Sequence, residues 1–538
     1  MTARYPRFIF AIILAIFSLG AVMAVYYSTP AGVGLANDSV AYIAGARSIL
    51  QGKGYSDIWL DSTIEPITHY PPLLSLSLSV LGLLGIDPLR GARILNILLF
   101  GTNTALVGWL GWRMTREFST GVWSAVIFLL NASLLRVHIF ALSEPLFLFF
   151  SLVAFLFFDL HFSTIPLANK RRSPWLLLTG LAVGLAFLAR YSALALLPTF
   201  SVALLLFPTT PGAQTTPAEW RARLVKLSVF FAGAIPLIIA WFVRNKLNAG
   251  SVTNRTFQYH ALTRDNIQPA FYNFSQFLMP VESWRQSLLK TNLLHWLIGI
   301  VGFLMFTWLV IQVVRLLQST QDAQSTSQPL LFTNILYMFG YLGAVLFSMS
   351  FFDASTKFQT RILAPLYVGL ILLLPVIATW LWHQVIPTKA NRWLVLILVL
   401  VTISASALEF SRAIREFSSA GQGYASWKWH DSFIMDSLKN LPADIAIYTN
   451  TPPAVYLVTG RASRTLPTPI DPVDNLVRAD YQDNLDMMLT DLHSGRAVLA
   501  LFDTSSLDEA SGSQNIQSLI TDLNILQKAQ GDVLYGKP

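Results

Sequence analysis

The stretch VHIFALSEPLFLFFSLVAFLFFDL, Val137–Leu160, is almost unbroken hydrocarbon, with one carboxylate, Glu144, near its start. A run of this length and apolarity is what a helix needs to cross the hydrocarbon core of a bilayer. Comparable runs lie on both sides of it. They are Phe8–Tyr27, Ile94–Trp112, Thr120–Leu135, Trp175–Leu188, Ser192–Phe207, Leu227–Val243, Leu293–Val314, Leu330–Phe352, Ile362–Leu381 and Trp393–Leu408, which makes eleven predicted spans. Leu73–Gly85 follows Pro71-Pro72 and is too short to cross, so it reads as juxtamembrane. Arg4 and Arg7 precede the first run, and Val22-Met23-Ala24 resembles a weak cleavage site, but a run this long followed by ten others reads as a retained anchor.

Composition agrees. Of 538 residues, 54% are hydrophobic and 12% charged, against roughly 25% charged in a soluble domain. Cysteine is absent, which excludes disulfides, thiolate metal sites and a cysteine nucleophile. The net charge of +8 is unevenly spread: residues 409–538 carry 10 Lys and Arg against 16 Asp and Glu, so the excess of cations lies in the apolar part. That asymmetry fits the positive-inside bias of a membrane domain, and no basic tail or aromatic–basic platform suggests nucleic acid. With the N-terminus inside, every inner loop is basic: Arg4 and Arg7; Arg113 and Arg116; Lys170, Arg171 and Arg172; Arg221, Arg223 and Lys226; Arg315; Lys389 and Arg392. The loops 28–91 and 244–292 and the segment from Glu409 onward then lie outside.

The fold class expected is therefore an all-α polytopic membrane domain, residues 1–408, followed by a small extracytoplasmic α/β domain, residues 409–538. In the latter, Ala443–Asn450, Ala454–Gly460 and Ala497–Asp503 read as short buried strands, and Asp474–Gly495 has helical periodicity with a glycine stop. No G-x-G-x-x-G, P-loop, G-x-S-x-G or H-E-x-x-H pattern is present. No tightly bound metal or cofactor is expected, although a divalent ion is not excluded.

Three groups of residues carry candidate chemistry. Asp38 opens a predicted helix, Ser39–Leu50, that Gly52 and Gly54 would end. Tyr42 shares its face at i+4, while Arg47 points nearly opposite. Asp38 reads either as a helix cap, a role Asn37 also fits, or as a general base kept ionised by the helix dipole. Glu144 in LSEPLF is a carboxylate inside a span, costly and by default functional, the bland alternatives being a buried pair with Arg136 or His138 or snorkelling to the interface. The third group is cationic: Arg190 in FLARYSALALLP, Arg244 in WFVRNKLNAG, Arg361 in TRILAPLY, and His69-Tyr70 before the two prolines. A membrane-anchored phosphate needs cations at this depth, and ordinary interfacial arginines look the same in sequence.

The order D-x-x-x-Y-x-x-x-A-R (Asp38 to Arg47), G-x-G-Y (Gly52 to Tyr55), YPPLLSLSLSVLGLLG, GARILN, SEPLF, W-x-x-R-N-x-x-x-x-G (Trp241 to Gly250) and R-x-x-x-P (Arg361 to Pro365) resembles the GT-C glycosyltransferases of the protein-mannosyltransferase and aminoarabinose lipid A transferase group, over roughly residues 1–400. The resemblance implies a polyprenyl-phosphate-linked sugar donor at the outer membrane face and inversion at the sugar carbon. It implies a hydroxyl acceptor on a lipid, glycan or protein, with Asp38 as base and Glu144 as the second functional acid. His69, Tyr70, Arg190, Arg244 and Arg361 would bind donor phosphate, and the loop bearing Arg255, His260 and Arg264 would close over it. Ser39 and Tyr70 depart from the lipid A branch, which has Glu and Lys there, and so argue against an aminoarabinose donor. A transporter or flippase of a lipid-linked or anionic solute is the alternative. It predicts charges spread through mid-span positions, whereas here they gather near one face.

Overall fold

A computed structural model describes residues 5–61, 64–163, 174–208, 216–252, 255, 257–317, 328–384, 389–470, 476–503, 522–529 and 531–537. Arg4 and Lys170–Arg172, four of the expected inner-loop cations, lie outside these. The chain divides into two compact units: one of residues 1–28, 94–139 and 143–416, the other of residues 29–93, 140–142 and 417–538.

The first unit is helical. Eight helices of the described chain are long and apolar enough to cross a membrane: Arg7–Ser28, Pro88–Thr115, Glu144–Ser163, Pro217–Ala249, Leu293–Leu317, Pro329–Phe351, Thr360–Gln384 and Arg392–Ala420. The expected continuous run Thr120–Leu135 is instead two helices, Phe118–Leu129 and Ala132–Ile139, bent by 60° to one another. At the bend Asn131 Oδ1 accepts from the Leu134 amide, capping the second helix. Two of the eleven expected spans are shorter than a full crossing: Trp175–Ala189 has 15 residues and Leu196–Leu206 has 11. One expectation needs correcting: Val137–Leu160 is not continuous. The chain turns at 140–143 and a new helix starts at Glu144, with Pro145 in its first turn, where a missing amide hydrogen costs nothing.

Hydrophobicity cannot drive helices together in lipid, so close packing must, and it depends on small residues. A Cβ on Gly180 would stand 2.0 Å from the Phe230 carbonyl oxygen, and one on Gly233 would stand 2.3 Å from that of Leu177. Trp175–Ala189 and Pro217–Ala249 therefore meet backbone to backbone. One buried polar pair bridges Pro88–Thr115 and Ala132–Ile139. The Asn103 amide donates to His138 Nε2 at 3.1 Å, and His138 Nδ1 lies 2.8 Å from the Leu134 carbonyl oxygen, which fixes the neutral Nδ1–H tautomer.

The second unit has a five-stranded sheet, β1 (Ala446–Thr449), β2 (Arg464–Thr465), β3 (Ala497–Leu501), β4 (Asn524–Ala529) and β5 (Asp532–Gly536), in the order β2-β1-β3-β5-β4. The first three are mutually parallel, and β5 and β4 are antiparallel. Strand alternation divides the core. Ile447, Val498, Ala500 and Leu534 pack with Ile434, Leu438 and Val455, while Tyr448, Leu499, Leu501 and Tyr535 pack with Met488 and Leu492. Ala454–Gly460, expected as a strand, is instead the helix Pro452–Thr459, with prolines at its start and left-handed Gly460 at its end. The expected helix in Asp474–Gly495 runs Tyr481–Ser494, and Asp474 itself lies outside the described residues. Leu73–Leu83, at 11 residues, is too short to span, as its length implied.

The first loop folds with the C-terminal segment. Leu35 pairs with Gly423 and Leu60 with Ser463 as short parallel bridges, and Arg464 holds Asp61 at 3.0 Å and Asp491 at 2.8 Å. A Cβ on Gly423, whose φ is +57°, would meet the Leu35 carbonyl oxygen at 1.9 Å, so this crossing admits glycine only.

The glycine contact between the two membrane helices makes a direct prediction. Gly180→Ala must push Phe230 away, and over-packing of this kind costs roughly 1–3 kcal/mol. Thermal unfolding of the purified protein in detergent should show a lower midpoint, whereas an unchanged midpoint would mean that the helices do not meet at Gly180.

Candidate active site

Each unit carries one cluster of the expected residues. In the second unit, Asp38 lies in the first turn of the helix Asn37–Leu50. Ser39 Oγ accepts the Ala36 amide at 2.9 Å, and Asp38 Oδ1 accepts the Tyr70 hydroxyl at 3.1 Å. Ser39 thus takes the cap role offered to Asn37 or Asp38, leaving the carboxylate with a side-chain donor and the favourable end of a helix dipole. Asp38 is half-buried, so solvent or a substrate hydroxyl reaches it.

The Tyr70 ring is fixed from three sides. Tyr42 packs edge-on at 5.4 Å between centroids, His69 lies at 5.4 Å, and the Tyr55 hydroxyl donates to the Tyr70 carbonyl at 3.2 Å. Tyr42, expected on the Asp38 face, is buried in that contact. Arg47 points away as expected and pairs with Asp87 at 3.1 Å. The start of the Asp38 helix is held by the chain that follows the last long helix. The Tyr424 amide donates to the Leu35 carbonyl at 2.9 Å, the Leu35 amide donates to the Gln422 carbonyl at 3.2 Å, and the Tyr424 hydroxyl donates to Asn37 Oδ1.

In the first unit the centre is Glu144, the first residue of Glu144–Ser163 and only 1% exposed. Arg190 Nη1 stands 2.7 Å from Glu144 Oε1 and Arg361 Nε 4.0 Å from the same oxygen. Of the expected alternative partners, His138 is engaged with Asn103, and Arg136 is exposed. Arg190 reaches Glu144 because the helix ends at Ala189. Arg190 is extended, with φ −152° and ψ 138°, before a short 3-10 turn, Tyr191–Ala195. Its Nη1 also donates to Ser143 Oγ at 3.3 Å, and Arg361 Nε donates to Gln359 Oε1 at 3.2 Å.

From Arg190 the polar network continues through Tyr191 to the Trp241–Gly250 motif. The Trp241 indole N–H donates to the Tyr191 hydroxyl at 2.9 Å, and Arg244 lies over the Trp241 ring at 5.1 Å. Arg244 is inside the Pro217–Ala249 helix, not after it as expected. Arg244 and Arg255 both lie within electrostatic reach of Tyr191. Arg255 Nη1 grips Asp353 Oδ2 at 2.8 Å. Burial pushes the Asp353 carboxyl up, but the Ser355 hydroxyl, the Arg255 guanidinium and the Thr356 hydroxyl outweigh it and hold the group below its ordinary range. The backbone of His260 is zipped to Ser350 at 2.7 Å, and Arg264 is exposed at the start of Arg264–Leu278. Neither makes a described contact with the Glu144 cluster.

Tyr341, Tyr191 and Asp353 were missed in sequence. Tyr341 donates to the Ile362 carbonyl at 2.8 Å, beside Arg361, and is electrostatically close to Arg190 and Glu144. An acid directly after a span, as in FFDAS, was the available signal for Asp353. Among the described residues no group of three or more His, Asp or Glu is arranged to hold a metal ion. The chemistry available is thus a half-buried carboxylate with an oriented donor, and a set of guanidinium groups ordered around one buried carboxylate.

Comparisons with known proteins bear on the fold and on part of the chain. Residues 77–247 match the family model described as dolichyl-phosphate-mannose-protein mannosyltransferase. No curated protein sequence matches the chain. Among solved structures, ArnT from Cupriavidus metallidurans in the apo state superposes with a TM-score of 0.57 at 12% identity, covering 97% of each chain. The same protein bound to undecaprenyl phosphate gives 0.57 at 14%, again covering 97% of each. The oligosaccharyltransferase of Archaeoglobus fulgidus, in complex with Zn and sulfate, gives 0.57 at 12% identity over 98% of this chain and 73% of its own. The fold is the GT-C fold of membrane glycosyltransferases. With the mannosyltransferase model matched over residues 77–247, the chain is similar to glycosyltransferases of that class, in line with the resemblance carried by the ordered motifs.

The Glu144–Arg190 pair makes a prediction of its own. Removing one partner of a buried pair leaves an uncompensated charge and costs roughly 3 kcal/mol or more. Arg190→Ala should therefore lower the thermal midpoint, and Arg190→Ala combined with Glu144→Gln should recover most of the loss. A double variant no more stable than the single one would contradict the pairing.

Proposed function

We propose that the protein transfers a sugar from a polyprenyl-phosphate donor to a hydroxyl acceptor, on a lipid, glycan or protein, with inversion at the sugar carbon. The acceptor oxygen attacks the anomeric carbon as the bond from that carbon to the phosphate oxygen breaks. Asp38 accepts the hydroxyl proton, and the polyprenyl phosphate departs with the electron pair. A weakly acidic hydroxyl needs a positioned base. A phosphate leaving group needs no strong acid, only nearby positive charge. The observation that carries this reading is the Asp38 carboxylate in the first turn of a helix, half-buried and oriented by the Tyr70 hydroxyl at 3.1 Å.

Arg190 and Arg361 are assigned to the donor phosphate, with Arg244 and Arg255 extending the positive field. Glu144 is assigned to ordering the first two. Its exposure of 1% leaves little room for an acceptor, which shifts its role from holding substrate to holding cations. His69 and Tyr70, read in sequence as phosphate ligands, are reassigned to supporting the base. The kinship supports the donor class: relatives of this fold are described bound to undecaprenyl phosphate and in complex with an inhibitory peptide and a dolichol-phosphate. The basic loops support an N-terminus on the inner side of a bacterial plasma membrane, with the Asp38 loop and the C-terminal domain outside. Residues 409–538 and the first loop would then serve as the frame that positions the base.

Incubation of purified protein with a panel of radiolabelled polyprenyl-phosphate sugars and an acceptor membrane extract tests the activity. Asp38→Asn is expected to abolish transfer, a loss of at least about 100-fold, while leaving thermal stability and undecaprenyl-phosphate binding intact. Transfer at a wild-type rate would remove Asp38 from the mechanism.

Arg361→Ala is expected to weaken undecaprenyl-phosphate binding by roughly tenfold, as a charge-assisted contact of 1.5 kcal/mol or so implies. Unchanged affinity would remove Arg361 from the phosphate site.

A further inference from the structure

The far end of the Glu144–Ser163 helix carries a second charged cluster, roughly 22 Å from Glu144 by helix rise. Asp159 accepts from Arg113 Nε, and Arg113 Nη2 donates to Ser163 Oγ at 2.5 Å. That pair is neutral and complete. Arg116 is added to it at a backbone cost. Arg116 ends the Pro88–Thr115 helix with φ +64°, a left-handed conformation that glycine usually occupies, and donates its amide to the Trp112 carbonyl at 2.7 Å. Its guanidinium lies 5.7 Å from the Trp112 ring centroid, and that of Arg113 lies 5.9 Å from the same ring.

Like charges crowd here. Arg113 and Arg7 both act against Arg116, and Asp159 alone opposes them. Burial, then these two cations, push the Arg116 guanidinium below its ordinary range. The neighbouring carboxylate, Glu117, is turned to His383 Nε2 at 3.3 Å. Beneath the cations is an aromatic floor, Phe10, Trp109, Trp112 and Phe118, with centroid separations of 4.9–6.2 Å. Strain at one residue and repulsion among three are sustained only where the surroundings, or a ligand, repay them. Both Arg7 and Arg116 stand at the ends of membrane-spanning helices. The anion abundant at that depth is a phospholipid phosphate, and amphipathic tryptophan rings sit at the same level.

We propose that Arg7 and Arg116, backed by the Arg113–Asp159 pair, seat the phosphate of an anionic phospholipid headgroup. The site is separate from glycosyl transfer and does not depend on that reading.

The test uses the full-length protein in detergent, titrated with dioctanoyl phosphatidylglycerol, dioctanoyl phosphatidylcholine or inorganic phosphate while the unfolding midpoint is followed. Phosphatidylglycerol alone should raise the midpoint. Arg116→Gly, which suits the left-handed backbone, should fold well yet shift the half-saturating phosphatidylglycerol concentration upward about fivefold, and Arg7→Gln should do likewise. Three results would overturn the proposal: an unaltered lipid response in Arg116→Gly, an equal shift from inorganic phosphate, or an equal shift from phosphatidylcholine.

Discussion

A carboxylate inside a membrane protein must either give up its charge or keep a cation in contact, and Glu144 keeps two guanidinium groups within 4.0 Å. This constraint ties together three distant parts of the sequence. The helix carrying Glu144 must begin at that residue, so the chain breaks at 140–143. The helix before Arg190 must stop at Ala189, so that an extended residue can reach across. Thr360–Gln384 must start where Arg361 faces the same oxygen. The first of these breaks interrupts an otherwise continuous apolar run, and each places a polar group where lipid would not tolerate it alone.

The second unit solves a different problem. A helix start bearing a half-buried carboxylate would fray if left on a long loop. Here it is pinned by backbone pairing of Leu35 with Gly423 and by the Tyr424 hydroxyl on Asn37. The C-terminal sheet is therefore more than an appendage. Its parallel half and the helices around it support the strip that braces the first loop, and the Arg464 contacts to Asp61, Tyr448 and Asp491 fasten the same loop at a second point. This arrangement accounts for a chain in which residues some 400 positions apart fold as one body.

Much of this was legible in the sequence, for physical reasons. Membrane spans announce themselves because the bilayer demands length and apolarity together, and the basic loops follow from the same physics. The Asp38 helix, its glycine exit and the outward turn of Arg47 could be read from spacing alone. The break inside Val137–Leu160 escaped because Phe140, Ala141 and Leu142 are as apolar as a helix interior; Ser-Glu-Pro at 143–145 was the overlooked start signal. Ala454–Gly460 was misread because a short apolar run fits a strand or a buried helix equally well, and only Pro452-Pro453 favours the helix. The convergence of Glu144, Arg190 and Arg361 spans more than 200 residues, and no local pattern records it. Nor does sequence show that Ser39 rather than Asp38 completes the helix cap.

Direct displacement is the central claim of the proposed mechanism: one base, one attack and a phosphate that leaves with the electron pair. The configuration of the transferred sugar reports on this most directly. With an undecaprenyl-phosphate sugar of known anomeric configuration, nuclear magnetic resonance of the product should show the opposite configuration at the sugar carbon. Retained configuration would require a covalent intermediate and would contradict the role given to Asp38.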